Sequence, residues 1–261
     1  MPSFERALVT GASSGLGAAF ARDLARRGTA VTLVARRRDR LEALARALGP
    51  AAEALVADLD TEVGVRAVED RLERGDVDLL VNNAGFGTGG PFARADVEAE
   101  ASMLRVHLLA PVRLMRAALP SMVSRGRGAV INVASLGALT PSFPLNATYG
   151  ASKAYLVSLS ESVNAELRGT GVSVQALCPG FTHTEFHKSP NKMKGTPAFM
   201  WMPPEPVVEA SLAAVGKRVV VVPGLANRLV ALLIRLLPRA LVAAVIARGA
   251  RPRRRASAKR A

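Results

Sequence analysis

Short apolar runs of strand length alternate with segments of helical period along most of this chain of 261 residues. Such an alternation predicts βαβ units, whose strands lie parallel in one sheet. Seven strands and six connecting helices predict an α/β fold, a doubly wound parallel sheet with ligands at the carboxyl ends of its strands. The predicted strands are residues 7–10, 30–35, 54–57, 79–82, 129–133, 172–177 and 219–222, and the predicted helices are 15–27, 38–48, 62–74, 97–124, 149–168 and 204–215.

Composition limits the class of protein. Hydrophobic residues make up 49% of the chain, enough for one α/β domain with a substantial core. The single cysteine, Cys178, ends an apolar run, so we expect a small core residue and a reducing compartment. Residues 1–6 lead into the first strand without an apolar stretch to cleave, which favours a cytoplasmic protein.

The net charge of +14 is concentrated towards the end of the chain. No acidic residue follows Glu209, whereas twelve lysines and arginines do, which leaves about +2 on the first 209 residues. The body is therefore nearly neutral, and aromatic residues make up only 4% of the chain, so we expect no nucleic-acid partner. The body also lacks the ligand spacing of a zinc site, so we expect no metal.

A glycine-rich turn follows the first predicted strand and opens an alanine-rich helix. Glycines there let the backbone turn tightly and approach a pyrophosphate at the helix N-terminus. The turn also matches the Gly-x-Ser-x-Gly elbow of α/β hydrolases, but that elbow needs earlier strands, and only ten residues precede this turn. No Gly-Lys-Ser/Thr follows, which excludes a P-loop. The residues of the turn expected to contact a nucleotide are Gly11, Ser13, Ser14, Gly15, Leu16 and Gly17.

The end of the second strand indicates which dinucleotide binds. An NAD site places an acidic side chain there for the ribose, whereas this chain has Arg36 and Arg37, and Asp39 comes too late. Arginines suit a 2′-phosphate, so we expect NADP(H) in preference to NAD(H). The alternative is that they only decorate the start of the next helix, where the dipole disfavours positive charge. Asp58 and Leu59, which follow the third strand, are expected beside the adenine.

Tyr149 and Lys153 lie four residues apart in a predicted helix and therefore share one face. A free tyrosine has a pKa of about 10, too high for proton exchange near neutral pH. A fixed neighbouring cation stabilises the phenolate and lowers that pKa. The pair therefore predicts a general acid/base. Ser135, fourteen positions before Tyr149, follows the fifth predicted strand.

Together these segments resemble the short-chain dehydrogenase/reductase superfamily over about residues 5–225. The matching motifs are Thr10-Gly11-x-x-x-Gly15-x-Gly17, Asp58, Asn82-Asn83-Ala84-Gly85, Ser135, Tyr149-x-x-x-Lys153 and Pro179-Gly180 followed by Thr184. The resemblance implies a Rossmann-type fold and hydride transfer between a nicotinamide cofactor and a carbonyl or an alcohol.

The resemblance also implies a role for each matching residue. Tyr149 would exchange a proton with the substrate oxygen, Lys153 would lower the pKa of Tyr149 and hold the nicotinamide ribose, and Ser135 would stabilise developing charge. Taken singly, each of these residues could instead serve packing or capping. The floor of the cofactor cleft would be Asn83, Ala84 and Gly85, and the nicotinamide carboxamide would lie among Pro179, Gly180, Thr182 and Thr184.

One position departs from the family pattern. In its fourth helix the family places an asparagine that helps to hold a water beside the lysine, and this chain has His107 there. An unperturbed histidine titrates at about pH 6.5, so a catalytic proton relay through His107 is one hypothesis. The alternatives are a passive spacer and an enzyme slowed by the change.

Three segments complete the predicted organisation. Residues 1–225 form the NADP-binding catalytic domain, in which residues 181–203, rich in Pro, Gly and aromatic residues, are predicted to be a substrate lid. The alternative for that segment is a disordered excursion, and its histidines, His183 and His187, are expected to be surface groups. Residues 226–248 form amphipathic helices broken at Pro238, and residues 249–261 form a basic, disordered tail.

An apolar helical face beside a polybasic segment fits peripheral contact with an anionic membrane. The alternative is that these helices cover the substrate cleft or a subunit interface.

We expect an NADP(H)-dependent oxidoreductase that interconverts a carbonyl and a secondary alcohol on an apolar substrate. A weakly active or inactive nucleotide-binding scaffold or sensor is the other class, and a homo-oligomer, dimer or tetramer, is expected by analogy with the family.

Overall fold

The computed structural model describes residues 3–185 and 200–250. The strands are β1 Arg6–Thr10, β2 Ala30–Ala35, β3 Ala52–Val56, β4 Leu79–Asn82, β5 Gly128–Val133, β6 Val172–Leu177, β7 Phe181–Thr182, β8 Trp201–Met202 and β9 Val220–Val221. Seven of them form one parallel sheet in the order β3-β2-β1-β4-β5-β6-β9, which confirms the predicted Rossmann-type, doubly wound sheet. The order reverses between β1 and β4, where such sheets open a ligand crevice.

Helices pack on both faces of the sheet. They are α1 Gly15–Arg26, α2 Arg38–Leu48, α3 Glu62–Glu73, α4 Val97–Leu104, α5 Ala110–Ser124, α6 Ala147–Glu166, α7 Pro204–Ala214, α8 Leu225–Leu236 and α9 Arg239–Ala250. Successive residues of a strand point to opposite faces, so Val9 of β1 lies in one core with Phe20 of α1, and Leu8 lies in the other with Leu72 of α3 and Leu114 of α5. Both faces of β1 are therefore apolar, as in a buried parallel strand.

A π-helical turn, Arg105–Leu109, divides the helix predicted over residues 97–124 into α4 and α5. Pro111 follows this turn and has no N–H to donate to the carbonyl of His107, four residues earlier. An α-helical bond is therefore missing at this point, and the wider π turn accommodates the loss. The side chain of His107 is fully buried.

The two C-terminal helices confirm the predicted helical extension. They are separated at Pro238, and α8 directs Leu229, Leu232 and Leu236 towards solvent, while Asn227 is buried against the domain. Within the described ranges, no helix combines the length and the apolar character needed to cross a bilayer.

The predicted lid is described only at its two ends. There β7 and β8 pair in parallel, and the ring of Trp201 stands 5.5 Å from that of Phe181 and 5.0 Å from that of His183, measured between centroids. This packing leaves Trp201 half-buried. Phe199 and His187 lie outside the described residues, so the lid stays a prediction.

Candidate active site

A cavity of about 490 Å³ lies at the carboxyl ends of the strands. Its walls come from the glycine-rich turn after β1, the segments that follow β2, β4 and β5, the start of α6 and the loop after β6. Every residue predicted to contact the cofactor lines it except Gly17, and Ser135, Tyr149 and Lys153 line it as well. The fold thus collects the predicted site from segments that are distant in sequence.

Hydrogen bonds hold the glycine-rich turn against the loop after β4. Thr10 Oγ1 accepts from the backbone N–H groups of Asn83 and Ala84, at 2.9 and 3.0 Å, and Asn83 Nδ2 donates to the Thr10 carbonyl at 2.9 Å. Gly11 has a φ of +66°, which favours glycine. A Cβ on Gly17 would lie 2.3 Å from the Gly11 carbonyl oxygen. Gly17 therefore lets the helix approach the turn and does not line the cavity, and its contact with the nucleotide stays a prediction.

Cationic side chains gather at the mouth of the cavity. Arg37 donates to Ser13 Oγ at 2.9 and 3.2 Å and to Ser14 Oγ at 2.8 Å, so its guanidinium lies directly on the glycine-rich turn. Arg36 is directed towards Asp58, with 3.8 Å between Nη1 and Oδ2. Of the two predicted arginines, Arg37 is the one held beside the nucleotide turn.

Ser135, Tyr149 and Lys153 meet in the wall of the cavity. Ser135 follows β5, accepts from the Gly137 N–H at 3.1 Å, and shares a hydrogen bond with the Tyr149 hydroxyl. One turn further along α6, Lys153 Nζ donates to the Val133 carbonyl at 2.8 Å and stands 5.9 Å from the centroid of the Tyr149 ring. The two hydroxyls are thus in contact, and the ammonium lies behind the phenol ring.

Burial shifts the pKa of both predicted proton-exchanging groups. It raises the pKa of the Tyr149 phenol to about 12, although the hydrogen bond with Ser135 acts in the lowering direction. It lowers the pKa of the Lys153 ammonium to about 8. Desolvation disfavours the charged form of each group. Desolvation is the largest influence on the pKa of Tyr149 in this structure, and the expectation that Lys153 lowers that pKa stays a prediction.

His107 connects two walls of the site. Its Nε2 accepts a hydrogen bond from the Phe86 N–H at 3.1 Å, which places the ring proton on Nδ1. Nδ1 lies 2.9 Å from Ser152 Oγ, and the Ser152 hydroxyl donates to the Tyr149 carbonyl at 2.8 Å. The neutral imidazole therefore links the loop after β4 to the first turn of α6, which carries Tyr149.

The charge state of His107 bears on the hypotheses for this residue. Burial lowers the pKa of His107 well below its ordinary value, and the nearby charge of Lys153 lowers it further. Both ring nitrogens are engaged by protein groups. These observations argue against a relay through an imidazole that titrates near neutral pH and favour a positioning role for His107, which stays a prediction. The side chain still lies beside the lysine, since a Cβ on Gly85 would be 2.7 Å from His107 Nε2 and 3.5 Å from Lys153 Nζ.

Two further side chains bear on the predicted chemistry. Cys178 is fully buried after β6, and burial raises the pKa of its thiol to about 12. His183 is exposed and stacks on Trp201. In residues 3–185 and 200–250, no group of three or more His, Cys, Asp or Glu side chains is arranged to hold a metal ion.

Sequence reasoning missed several residues of the site, among them Phe86, which lines the cavity. Arg40 and Glu185 form an ion pair at 2.9 Å beside the cavity mouth. Asn227 of α8 packs so closely on Gly180 that a Cβ there would lie 2.5 Å from the Asn227 side-chain oxygen. Ser152 could have been found from its position three residues after the tyrosine, on the same helical face. The contacts of Glu185 and Asn227 join distant segments and leave no local signal.

Comparison with known proteins agrees with this geometry. A family profile described as short chain dehydrogenase matches residues 5–195. A short chain dehydrogenase of Pseudocercospora fijiensis is 40% identical over 186 residues, which span 69% of this chain and 60% of that relative. Among solved structures, a short-chain dehydrogenase from Sphingobium yanoikuyae in complex with NADPH is 35% identical, with a TM-score of 0.79 and 98% of each chain covered. The bulky-bulky ketone specific alcohol dehydrogenase from Comamonas testosteroni is 30% identical, with a TM-score of 0.76 and 92% of this chain and 97% of that chain covered. Because the profile covers most of the chain, this chain belongs to the short chain dehydrogenase family.

Proposed function

We propose that the protein is an NADP(H)-dependent oxidoreductase that interconverts a carbonyl and a secondary alcohol. The observation that carries this proposal is the hydrogen bond between Ser135 and Tyr149 in a cavity that the glycine-rich turn also lines. Two hydroxyls in contact can both reach one substrate oxygen, as carbonyl reduction requires. Two solved relatives, a short-chain dehydrogenase and an alcohol dehydrogenase, support the same reaction class.

The glycines of the cavity support a dinucleotide as the cofactor. A Cβ on Gly11 would lie 2.8 Å from Asn83 Nδ2, and one on Gly85 would lie 2.7 Å from His107 Nε2. Both glycines line the cavity, and their close packing against the neighbouring side chains is possible only because they lack a Cβ. The pyrophosphate would lie on the glycine-rich turn at the start of α1, and Lys153 would hold the nicotinamide ribose. When bound, the cofactor supplies or accepts the hydride.

Side chains of the site would transfer the proton to or from the substrate oxygen. In the reductive direction, Tyr149 donates its proton to the carbonyl oxygen while Ser135 donates a hydrogen bond to the same atom. A phenol with a pKa of about 12 stays protonated over the working pH range, so it holds the proton, and transfer of that proton requires that the site stabilise the phenolate. The ammonium of Lys153, with a pKa of about 8, is mostly protonated at neutral pH and stabilises the phenolate that remains. His107 positions this turn of α6 through Ser152.

The preference for NADP(H) over NAD(H) rests on Arg37. Its guanidinium is fixed on the serines of the glycine-rich turn, where a 2′-phosphate could pair with it. We expect Arg37→Ala to weaken NADPH binding about tenfold or more and to change NADH binding little. Arg38→Ala is the matched control, because Arg38 pairs with Glu42 on the surface of α2. An equal loss of affinity for NADPH and for NADH in Arg37→Ala would contradict the preference for NADP(H).

The substrate class is a hydrophobic ketone or alcohol. Phe86 lines the cavity, and the ring of Phe143 stands 6.1 Å from that of Tyr149, so aromatic surface flanks the reacting hydroxyls. The relative named for bulky-bulky ketones supports this class. We expect kcat/KM for NADPH oxidation to rise from short to medium- and long-chain ketones and ketoacyl thioesters, and to be low for ketoses. NADPH binding without turnover on the whole panel would favour the scaffold or sensor.

The C-terminal apolar surface, defined here as Leu225, Leu229, Leu232 and Leu236 of α8 and Leu241 of α9, is proposed to contact an anionic membrane. These side chains are 47–82% exposed. Residues 225–260 hold ten lysines and arginines and no acidic residue, a charge that anionic lipid complements and a second copy repels. A cytoplasmic protein peripheral at the membrane follows from this proposal.

Flotation of the full chain with vesicles tests this surface. We expect binding to vesicles that contain phosphatidylserine, loss of binding in Leu229→Glu/Leu232→Glu, and retention in Val63→Glu, a matched change at a valine that is 81% exposed elsewhere. Equal binding by all three proteins would contradict the proposal. If the wild type does not bind vesicles but forms a dimer in solution, and if Leu229→Glu/Leu232→Glu dissociates that dimer, the surface is a subunit interface instead.

A further inference from the structure

A carboxylate of the chain lies inside the cationic cluster at the cavity mouth. Glu185 pairs with Arg37 at 3.1 Å, and both of its oxygens lie 2.9 Å from Arg40 Nη1. The same guanidinium of Arg37 also donates to Ser13 and Ser14 of the glycine-rich turn. Glu185 therefore sits beside the turn, at the charges that a 2′-phosphate would use.

The contact is tertiary and local preferences do not explain it. Glu185 is 148 and 145 positions from its two partners in the sequence. Arg37 and Arg40 lie at the N-terminal end of α2, where the helix dipole disfavours positive charge and favours an anion. Glu185 supplies that anion from the segment after β7.

We propose that Glu185 is a specificity-determining residue that competes with the 2′-phosphate of NADP(H) for Arg37 and Arg40. The inference rests on the proposed function, in which Arg37 binds that phosphate. NADH carries a hydroxyl at this position and leaves the ion pairs intact. NADPH brings a second anion to the same cations and must displace the carboxylate or bind beside it against like-charge repulsion. Glu185 thus moderates the preference for NADPH and leaves room for NADH.

The competition operates at every working pH and weakens with salt. Hydrogen bonds from Arg37, and then Arg40, lower the pKa of Glu185 to about 2, so the carboxylate stays charged. The side chains of Arg37, Arg40 and Glu185 are 42, 46 and 35% exposed, so mobile ions reach them. Screening by salt therefore acts on the ion pairs and on phosphate binding together.

The test compares ligands with and without the 2′-phosphate. Dissociation constants for NADPH, NADH, adenosine 2′,5′-bisphosphate and 5′-AMP are measured by calorimetry on the wild type and on Glu185→Gln. We expect the variant to bind NADPH and the bisphosphate about fivefold to tenfold more tightly, with NADH and 5′-AMP changed less than about twofold. Glu42→Gln, which removes a carboxylate from an exposed pair of the same helix, should change none of the four. The gap between wild type and Glu185→Gln should narrow at high salt.

Two outcomes overturn the inference. An unchanged ratio of NADPH to NADH affinity in a folded Glu185→Gln protein would show that the carboxylate does not compete. Weaker NADPH binding in that variant would show that Glu185 organises the arginines for the phosphate. Arg37→Ala separates this failure from that of the proposed cofactor preference. Loss of the NADPH preference in Arg37→Ala, with no effect of Glu185→Gln, rejects the competition alone, whereas no effect of either variant rejects both.

Discussion

Replacing His107 with alanine tests how the fold holds the proton donor. The substitution leaves the Phe86 N–H without its acceptor and removes the donor to Ser152 Oγ, at a side chain that is 0% exposed. A buried polar group left without a partner costs about 1–3 kcal/mol, and the vacated ring volume adds to that cost. We therefore expect His107→Ala to lose about 2–4 kcal/mol of unfolding free energy at pH 7.5.

The loss should depend on pH with a definite sign. Because the pKa of His107 is lowered in the folded protein, the unfolded chain binds the extra proton as the pH falls below about 6.5. This group then reduces the stability of the wild type by up to about 1.4 kcal/mol per pH unit, while above that pH its contribution is constant. Alanine cannot titrate, so the difference between wild type and variant should shrink from pH 7.5 to pH 5.5.

Urea unfolding at pH 7.5, 6.5 and 5.5, followed by far-UV circular dichroism, measures both quantities. His183→Ala is the matched control, because that imidazole is exposed. A positioning role also predicts that His107→Ala lowers kcat without moving the pH profile between pH 6 and 8. A stability difference that stays the same at all three pH values, or a pH limb of kcat that vanishes in His107→Ala, would refute the neutral, positioning histidine.

Three further predictions follow from the same contacts. Gly17→Ala places a Cβ 2.3 Å from the Gly11 carbonyl oxygen. We therefore expect NADPH to bind about tenfold or more weakly and the melting temperature to fall. An NADPH affinity equal to that of the wild type would show that the turn can shift to accept the added Cβ. Ser135→Ala should lower kcat about 10²-fold, measured by stopped-flow oxidation of NADPH, and should leave the NADPH dissociation constant, measured by fluorescence titration, near that of the wild type. A change in the dissociation constant alone would reject the proposed contact of Ser135 with the reacting oxygen. The thiol of Cys178, buried with a pKa of about 12, should react with a disulfide reagent only after unfolding, and rapid labelling of the folded protein would show that this core opens.

Periodicity explains why most of the fold could be predicted. Strands β2 and β4 are buried on both faces and read as nearly continuous apolar runs, and β2, β4 and β6 begin and end at the predicted residues. The π turn at Arg105–Leu109 could not be read in the same way, because its five residues interrupt the helical period too briefly to leave a pattern of their own. Pro111 was the available signal, through the hydrogen bond that it cannot donate.

Some residues of the candidate site could be predicted from local sequence patterns and others could not. Residues with a local requirement, such as Gly11 in its turn and Lys153 one helical turn after Tyr149, could be placed from sequence. Glu185 and Asn227 act on segments far away in the chain, and their positions depend on packing that no local pattern encodes. The pKa of Tyr149 depends on desolvation, a tertiary quantity that the spacing of Tyr149 and Lys153 does not reveal.

Single-turnover oxidation of NADPH by Tyr149→Phe, with a ketone that the wild type reduces, tests the central claim most directly. Phenylalanine keeps the ring and removes only the hydroxyl, so NADPH should bind as in the wild type while the chemical step slows by about 10²–10⁴-fold. Turnover at the wild-type rate by this variant would contradict the assignment of Tyr149 as the proton donor.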